Sequence, residues 1–245
     1  MSQKKSHRFF IVVLLMLVVL VSGFLFLHSS FFDIADVIIS GNNKVSNDEI
    51  LTIADIKTDA NIFLLDSDLI CNKLRVHPIV KDAKIVKHFP NKIEIKISER
   101  EIWALVPFQN MFLCLDEEGV CIDRITSFSF ESYPVVTMEN MPERVNLGHA
   151  LYPQAIINVK KLWDYITPEQ REKISDFHLR NDNMDIIIYT LAGTEIRFGN
   201  IDRLEEKLSY FSYIFEQEES LASVGTQVLE YIDLSFQGQP VVKIR

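Results

Sequence analysis

The sequence predicts an α+β protein: one apolar helix followed by two small, sheet-containing domains. Three observations carry this. Phe9 to Leu27 is an uninterrupted apolar run without a charge. Residues 93 to 98 alternate strictly, with Ile93, Ile95 and Ile97 on one face, directly after a stretch of helical spacing; a period of two marks a half-buried strand. Beyond Ala104 short apolar segments separated by turn residues dominate, and only two stretches keep a helical period.

Residues 1–8, MSQKKSHR, are short and basic. The 19 residues from Phe9 to Leu27, as a helix, span roughly 29 Å, the hydrocarbon thickness of a bilayer. The basic flank predicts a cytoplasmic N-terminus and an exported remainder. The competing reading is a cleaved signal peptide, whose apolar region runs to about 7–15 residues before a small-x-small site. Here the run is longer, and His28-Ser29-Ser30-Phe31 offers no such site, which favours an uncleaved anchor.

The first exported domain is expected over residues 31–100. Val37 and Ile39 share one face of a short strand, and Gly41-Asn42-Asn43 ends it. Ser46-Asn47-Asp48-Glu49 predicts a capping box at a helix start. Asp66 or Ser67 caps a second helix, with Leu69, Ile70 and Leu74 on its apolar side. That helix ends before Pro78. A strand through Ala83 and Ile85, a turn at Phe89-Pro90-Asn91 and the isoleucine strand complete the order β-α-α-β-β.

The second domain, residues 104–245, is expected to be a mixed α/β domain dominated by an antiparallel sheet. Phe112–Leu115 and Val120–Ile122 flank the acidic turn Asp116-Glu117-Glu118-Gly119 as a hairpin. One helix is expected from about Pro153 to Ile166, with Ile156, Val159, Trp163 and Ile166 on one side. Residues 174–179, 185–190 and 194–198 read as strands. A single helix is expected from Asn200 to Glu216, with Leu204, Leu208, Phe211 and Phe215 as its buried stripe. Residues 227–236 and 241–244 are the last strands.

Chemistry is hard to find in this chain. It has no GxSxG, P-loop, GxGxxG or HExxH motif. Its six histidines are scattered rather than grouped, so no metal or cofactor site is expected. The formal charge is −9, and Lys4, Lys5 and Arg8 precede the apolar run, so the rest is more acidic still and unsuited to nucleic acid. The acidic turn and Glu205-Glu206-Lys207 read as solvated surface. Three cysteines are not a disulfide framework. Cys114 and Cys121 flank the turn and could face each other, so a cross-strand disulfide stays open; Cys71 reads as a small core residue.

The order helix, Leu74, Pro78, Val80, Ala83, Ile85, Pro90-Asn91, alternating isoleucines and Glu99-Arg100, with Ser40-Gly41-Asn42 and Val45-Ser46 before it, resembles the POTRA module of the bacterial cell-division family FtsQ/DivIB. Where that family often carries a proline after Glu-Arg, this chain has Glu101-Ile102. Gly199 before a helix with Lys207, and Tyr231-Ile232-Asp233-Leu234-Ser235-Phe236, are similar to landmarks of the family's β-domain. The resemblance covers nearly the whole chain. It implies a non-enzymatic scaffold in the division-site membrane that binds FtsB/DivIC-type and FtsL-type single-pass proteins. It also implies contacts to other division proteins through the POTRA domain and help in controlling septal peptidoglycan synthesis.

In the family the last strands hold the FtsB-type segment by strand addition. Carried over, the contact falls on Tyr231, Asp233, Ser235, Phe236 and Gly238. The family can have a basic residue where Ser235 stands and an aromatic at Phe236, so backbone pairing and Phe236 are expected to carry more of the contact. Alternation with Ile232 and Leu234 supports an equally open second placement of Phe236, in the core. The alternatives are a POTRA-bearing envelope transport or assembly partner, for which residues 104–245 hold too few strands to make a barrel, and a membrane-anchored envelope enzyme or sensor.

Overall fold

The structure, a computed structural model, describes residues 2–57, 59–127, 133–180, 185–224 and 228–245. The chain folds as two units, Met1–Glu99 and Arg100–Arg245.

The N-terminal unit begins with α1 (Ser2–Leu27). Within α1 the segment Phe9–Leu27 has a mean hydropathy of 3.2 and is unburied by protein, so it is long and apolar enough to cross a membrane. Next come β1 (Asp36–Ser40), α2 (Asn47–Ala54), α3 (Ser67–Arg75), β2 (Val80–His88) and β3 (Lys92–Glu99), which is the expected β-α-α-β-β order. The sheet order is β1-β3-β2, with β1 parallel and β2 antiparallel to β3. Ile95 and Ile97 point into a core shared with Ile50 and Ala54 of α2 and Ile70, Cys71 and Leu74 of α3. Ile93 instead joins Phe32, Ile34 and Ile62 in a second small core. Ser46 Oγ accepts the Glu49 amide at 3.2 Å, while the Glu49 carboxylate lies 3.2 Å from His77 Nε2. Asp66 caps α3 through the Leu69 amide at 3.0 Å.

Two motifs in this unit have a direct physical reason. Gly41 has φ +84°, and a Cβ there would sit 2.2 Å from the Ile97 carbonyl oxygen, so only glycine lets the loop cross the end of β3. Just beyond it, the Glu99 carboxylate accepts the backbone amides of Asn43, Lys44 and Val45 at 2.9–3.0 Å. Partial burial pushes the Glu99 carboxyl up, but these three amides outweigh it and hold it below the ordinary glutamate value.

The C-terminal unit opens with a meander, β4 (Ala104–Phe108), β5 (Met111–Leu115) and β6 (Cys121–Ile125). Next come β7 (Val136–Met138), α4 (Pro153–Tyr165), α5 (Pro168–Arg171), β8 (Ile174–Arg180), β9 (Asp185–Thr190) and β10 (Glu195–Gly199). The unit ends with α6 (Leu204–Ser209), α7 (Phe211–Val224), β11 (Leu229–Asp233) and β12 (Val241–Ile244). A six-stranded sheet runs β12-β11-β10-β9-β8-β7. Its pairings are antiparallel except β7–β8 and β10–β11. One core gathers Ala155, Ile156, Val159 and Leu162 of α4, Phe211, Ile214 and Phe215 of α7, and the sheet residues Phe177, Ile188, Ile196 and Ile232.

Three expectations are corrected here, and one question that the sequence left open is answered. The helix expected over 200–216 is two helices, because Tyr210 separates α6 from α7. Lys207 is not on a solvated face: it is 2% exposed. The acidic turn is not simply a solvated tip, since Asp116 is 2% exposed. Its carboxylate accepts the Glu118 and Val120 amides and pairs with Arg100, as a buried charge requires. Finally, Cys114 pairs in register with Asp123 and Leu115 with Cys121. Cys114 therefore enters a small core with Leu105 and Ile122 while Cys121 enters the main one, so the two do not face each other. A reciprocal capping box does occur at Thr167–Gln170.

Candidate functional site: an open sheet edge

The six-stranded sheet has two ends, and they differ. At the β7 end, Val135 forms a parallel bridge with Leu105 of β4, and Leu105 N donates to Pro134 O at 3.0 Å. At the β12 end, no strand among the described residues pairs with the outer side of Val241–Ile244. Every residue of β12 is exposed. Arg245 exchanges both backbone bonds with Val228 at 2.9 Å. Alternation along an antiparallel strand then turns the N–H and C=O of Val242 and Ile244 outward. The side chains of Val242 and Ile244 share a sheet face with buried Ile232 and Leu229, their register partners. An incoming strand would find both backbone partners and an apolar shelf.

The five residues named from the sequence lie on and beside this edge. Tyr231 and Asp233 are on β11, which is paired on both sides, so their backbones are already committed. The Tyr231 ring has Arg197 of β10 at 3.9 Å and Lys243 of β12 at 5.7 Å from its centroid, a cation from each flanking strand. Asp233 Oδ1 accepts the Ser235 amide at 2.9 Å and hydroxyl at 2.6 Å, building the turn between the two strands. Phe236 is on that turn and 43% exposed, whereas Ile232 and Leu234 are buried; of its two placements the structure shows the outward one. Gly238 has φ +127°, a conformation reserved for glycine.

Three residues to which the sequence assigned no contact hold this turn. Arg203 Nη2 donates to Phe236 O at 2.7 Å. Gly199, at φ +70°, lies so close that a Cβ would meet Ser235 Cβ at 3.0 Å. Lys207 Nζ donates to Phe198 O and Asn200 O, both at 2.8 Å, fastening the loop that carries Gly199 and Arg203. Burial, then the nearby Arg203 guanidinium, holds the Lys207 ammonium below the ordinary lysine value. The helical period did contain this signal: Lys207 falls between Leu204 and Phe211 on the stripe facing the core.

One constellation looks chemical. A cleft of about 850 Å³ opens beside β7, β8, α4 and α5, with Thr137, Trp163, Arg171 and Asp176 in its wall. Thr137 Oγ1 lies 2.8 Å from His178 Nδ1 and donates to Asp176 at 3.2 Å. The hydroxyl has one proton. With that proton directed at the Asp176 carboxylate, the Thr137 oxygen is left to accept from the Nδ1–H tautomer of His178, an arrangement in which His178 does not activate it. A nucleophile–base–carboxylate relay needs the reverse order. Among the described residues no three His, Cys, Asp or Glu side chains gather as metal ligands.

Comparison with known proteins decides the family. The profile of the POTRA domain, FtsQ-type, matches residues 32–100, and that of the FtsQ/DivIB C-terminal domain matches residues 104–235. The chain belongs to the FtsQ/DivIB family of cell-division proteins. Among FtsQ/DivIB relatives, the cell division protein DivIB of Clostridium botulinum (strain Hall) is 27% identical over 249 residues, covering 99% of this chain and 94% of that protein. DivIB of Staphylococcus aureus (strain NCTC 8325) is 26% identical over 214 residues, covering 86% of this chain but 46% of that protein; the chain thus spans about half the length of that relative. FtsQ of Syntrophotalea carbinolica is 24% identical over 227 residues, covering 91% and 78%. The FtsQ/DivIB landmarks now have structural reasons: Gly41 and Glu99 lock the first loop, and Gly199 with Lys207 seats the turn before β12.

Proposed function

We propose that this chain is a non-enzymatic scaffold of the division site that captures an extended segment of an FtsB/DivIC-type partner, together with an FtsL-type protein, by strand addition to β12. The observation that carries this is the outer side of β12, which no strand among the described residues pairs with, and beside which Val242 and Ile244 present exposed apolar side chains. Through that contact the chain helps control septal peptidoglycan synthesis. Residues 1–8 form a cytoplasmic tail, 9–27 a single-pass anchor, and the domains over 31–100 and 104–245 face outward, in keeping with the basic N-terminal flank. The POTRA domain offers further division proteins a second surface.

The test is Val242→Pro. Proline is tolerated where a strand's N–H faces outward, so the sheet should keep its stability, while one backbone bond to the partner is removed. Lost backbone bonds are worth about 0.5–1.5 kcal/mol each, and the ring also obstructs the incoming strand. Titration with the exported segment of the same organism's FtsB/DivIC-type protein is expected to show affinity at least about 3–10-fold weaker. Unchanged affinity with an unchanged melting profile would remove β12 as the docking edge.

A further inference from the structure

We infer that an aromatic patch at the foot of the N-terminal unit docks on the lipid headgroup layer beside the membrane-spanning helix, so that the unit meets the membrane at a second place. The inference rests on the reading of Phe9–Leu27 as a membrane span. Phe31, Phe63, Leu64 and Phe89 are 57%, 44%, 69% and 57% exposed, although they come from three separate segments. They adjoin one another. Phe31 and Phe63 each pack on Phe32 at 5.0 Å between ring centroids, and Phe63 stacks on Phe89 at 5.0 Å.

The patch is continuous with the helix. Phe26, inside the apolar run, packs on Phe32 at 5.3 Å and on Phe31 at 6.0 Å. Asn61 Nδ2 donates to the Leu27 carbonyl at 2.8 Å, and Ile62 N donates to Phe32 O at 2.9 Å. The loop bearing Phe63 and Leu64 is thereby bonded to the residue at which the helix leaves the hydrocarbon. Phe63 is two ring contacts, through Phe32, from Phe26, which lies one residue inside the end of the apolar run; surface this close to the end of a span falls in the headgroup region that flanks the hydrocarbon. The small core of Phe32, Ile34, Ile62 and Ile93 holds these rings from behind, so they have a rigid base. Contiguous exposed apolar surface marks a binding site, and Phe and Leu are among the side chains that interfacial segments bury at the headgroup–acyl boundary. The lipid surface is the occupant that the helix itself brings alongside.

The experiment uses the full chain in lipid nanodiscs. Leu64→Cys is labelled with an environment-sensitive fluorophore. Cys71, Cys114 and Cys121 are buried, and labelling of the unsubstituted chain gives the background. Leu17→Cys, in the middle of the apolar run, is labelled in parallel. The expected result is a blue-shifted emission at position 64 that falls in proportion to lipid carrying a quencher high on its acyl chain. Position 17 should respond most to a deep quencher. Quenching at 17 without quenching at 64 overturns the docking and leaves the span in place. Quenching at neither overturns the span, and the docking with it. A shift at 64 that follows protein density in the disc rather than quencher content identifies a second copy as the occupant and likewise overturns the proposal.

Discussion

Lys207→Met is the most demanding test of how the turn before β12 is held. The side chain is 2% exposed and its ammonium donates to two backbone carbonyls, those of Phe198 and Asn200, at 2.8 Å. Methionine keeps the stem but strands both acceptors, at about 1–3 kcal/mol each. Removal of a buried charge returns part of that cost, leaving a net destabilisation of about 2–4 kcal/mol. With a urea slope of about 2 kcal/mol/M, the unfolding midpoint falls by about 1–2 M. Trp103 and Trp163 both lie in the C-terminal unit, so tryptophan fluorescence of the full chain in detergent reports that unit alone. The pH dependence is a second check. The folded-state pKa of Lys207 is below its ordinary value, so between the two the unfolded chain binds more protons, and this residue's contribution to stability rises with pH across that window. Lys207→Met should flatten that rise. A midpoint unchanged or raised by Lys207→Met would refute the reasoning, because it would mean the ammonium is a net burden on the fold.

Glu99→Gln should flatten the acid limb of the N-terminal unit's stability profile. The folded carboxyl is lowered, so its contribution is present above the ordinary glutamate pKa and lost as pH falls through the folded value; thermal scans of both proteins from neutral to acid pH check this. Leu74→Ala empties a fully buried site between α3 and the sheet and should cost about 2–5 kcal/mol, read by amide exchange across β2 and β3. Gly41→Ala forces a Cβ toward the Ile97 carbonyl at a positive φ and should cost at least about 1–3 kcal/mol, visible as a lower melting temperature. Phe236→Glu should weaken partner binding without lowering the melting temperature, since the ring is on an exposed turn; a drop in cooperativity would return Phe236 to the core.

The sequence displayed whatever has a local period. The apolar run of α1, the isoleucines of β3 and the caps at Ser46 and Asp66 each sit within a few residues of their physical cause. Long-range register left no such mark. Nothing local shows that β11 would lie parallel to β10, because α6 and α7 intervene between them. The one-residue bulge at Ile122 of β6, opposite the Cys114–Leu115 step, is likewise silent, and it sets the faces of the two cysteines. Buried charges misled for another reason. Asp116 and Lys207 are hydrophilic by type, and only the surrounding amides, carbonyls and Arg100 make their burial tolerable. At the edge, the strand over 241–244 was legible in the sequence and stands as β12, but the named contact residues stopped at β11 and its turn, because the landmarks that carried them lie there and nothing local marks which strand ends the sheet.

An uncovered β12 has a consequence for supply. The groups that would receive a partner strand make no distinction among strands, and two copies could join edge to edge, each presenting Val242 and Ile244 to the other. The strand's four residues and the Lys243 ammonium blunt this hazard without closing the edge. On the strand-addition reading, chain made in excess of the proposed partner is the population most prone to clump or be degraded. On that reading, making the two in step keeps this edge occupied, and the ratio of their synthesis matters as much as the affinity between them.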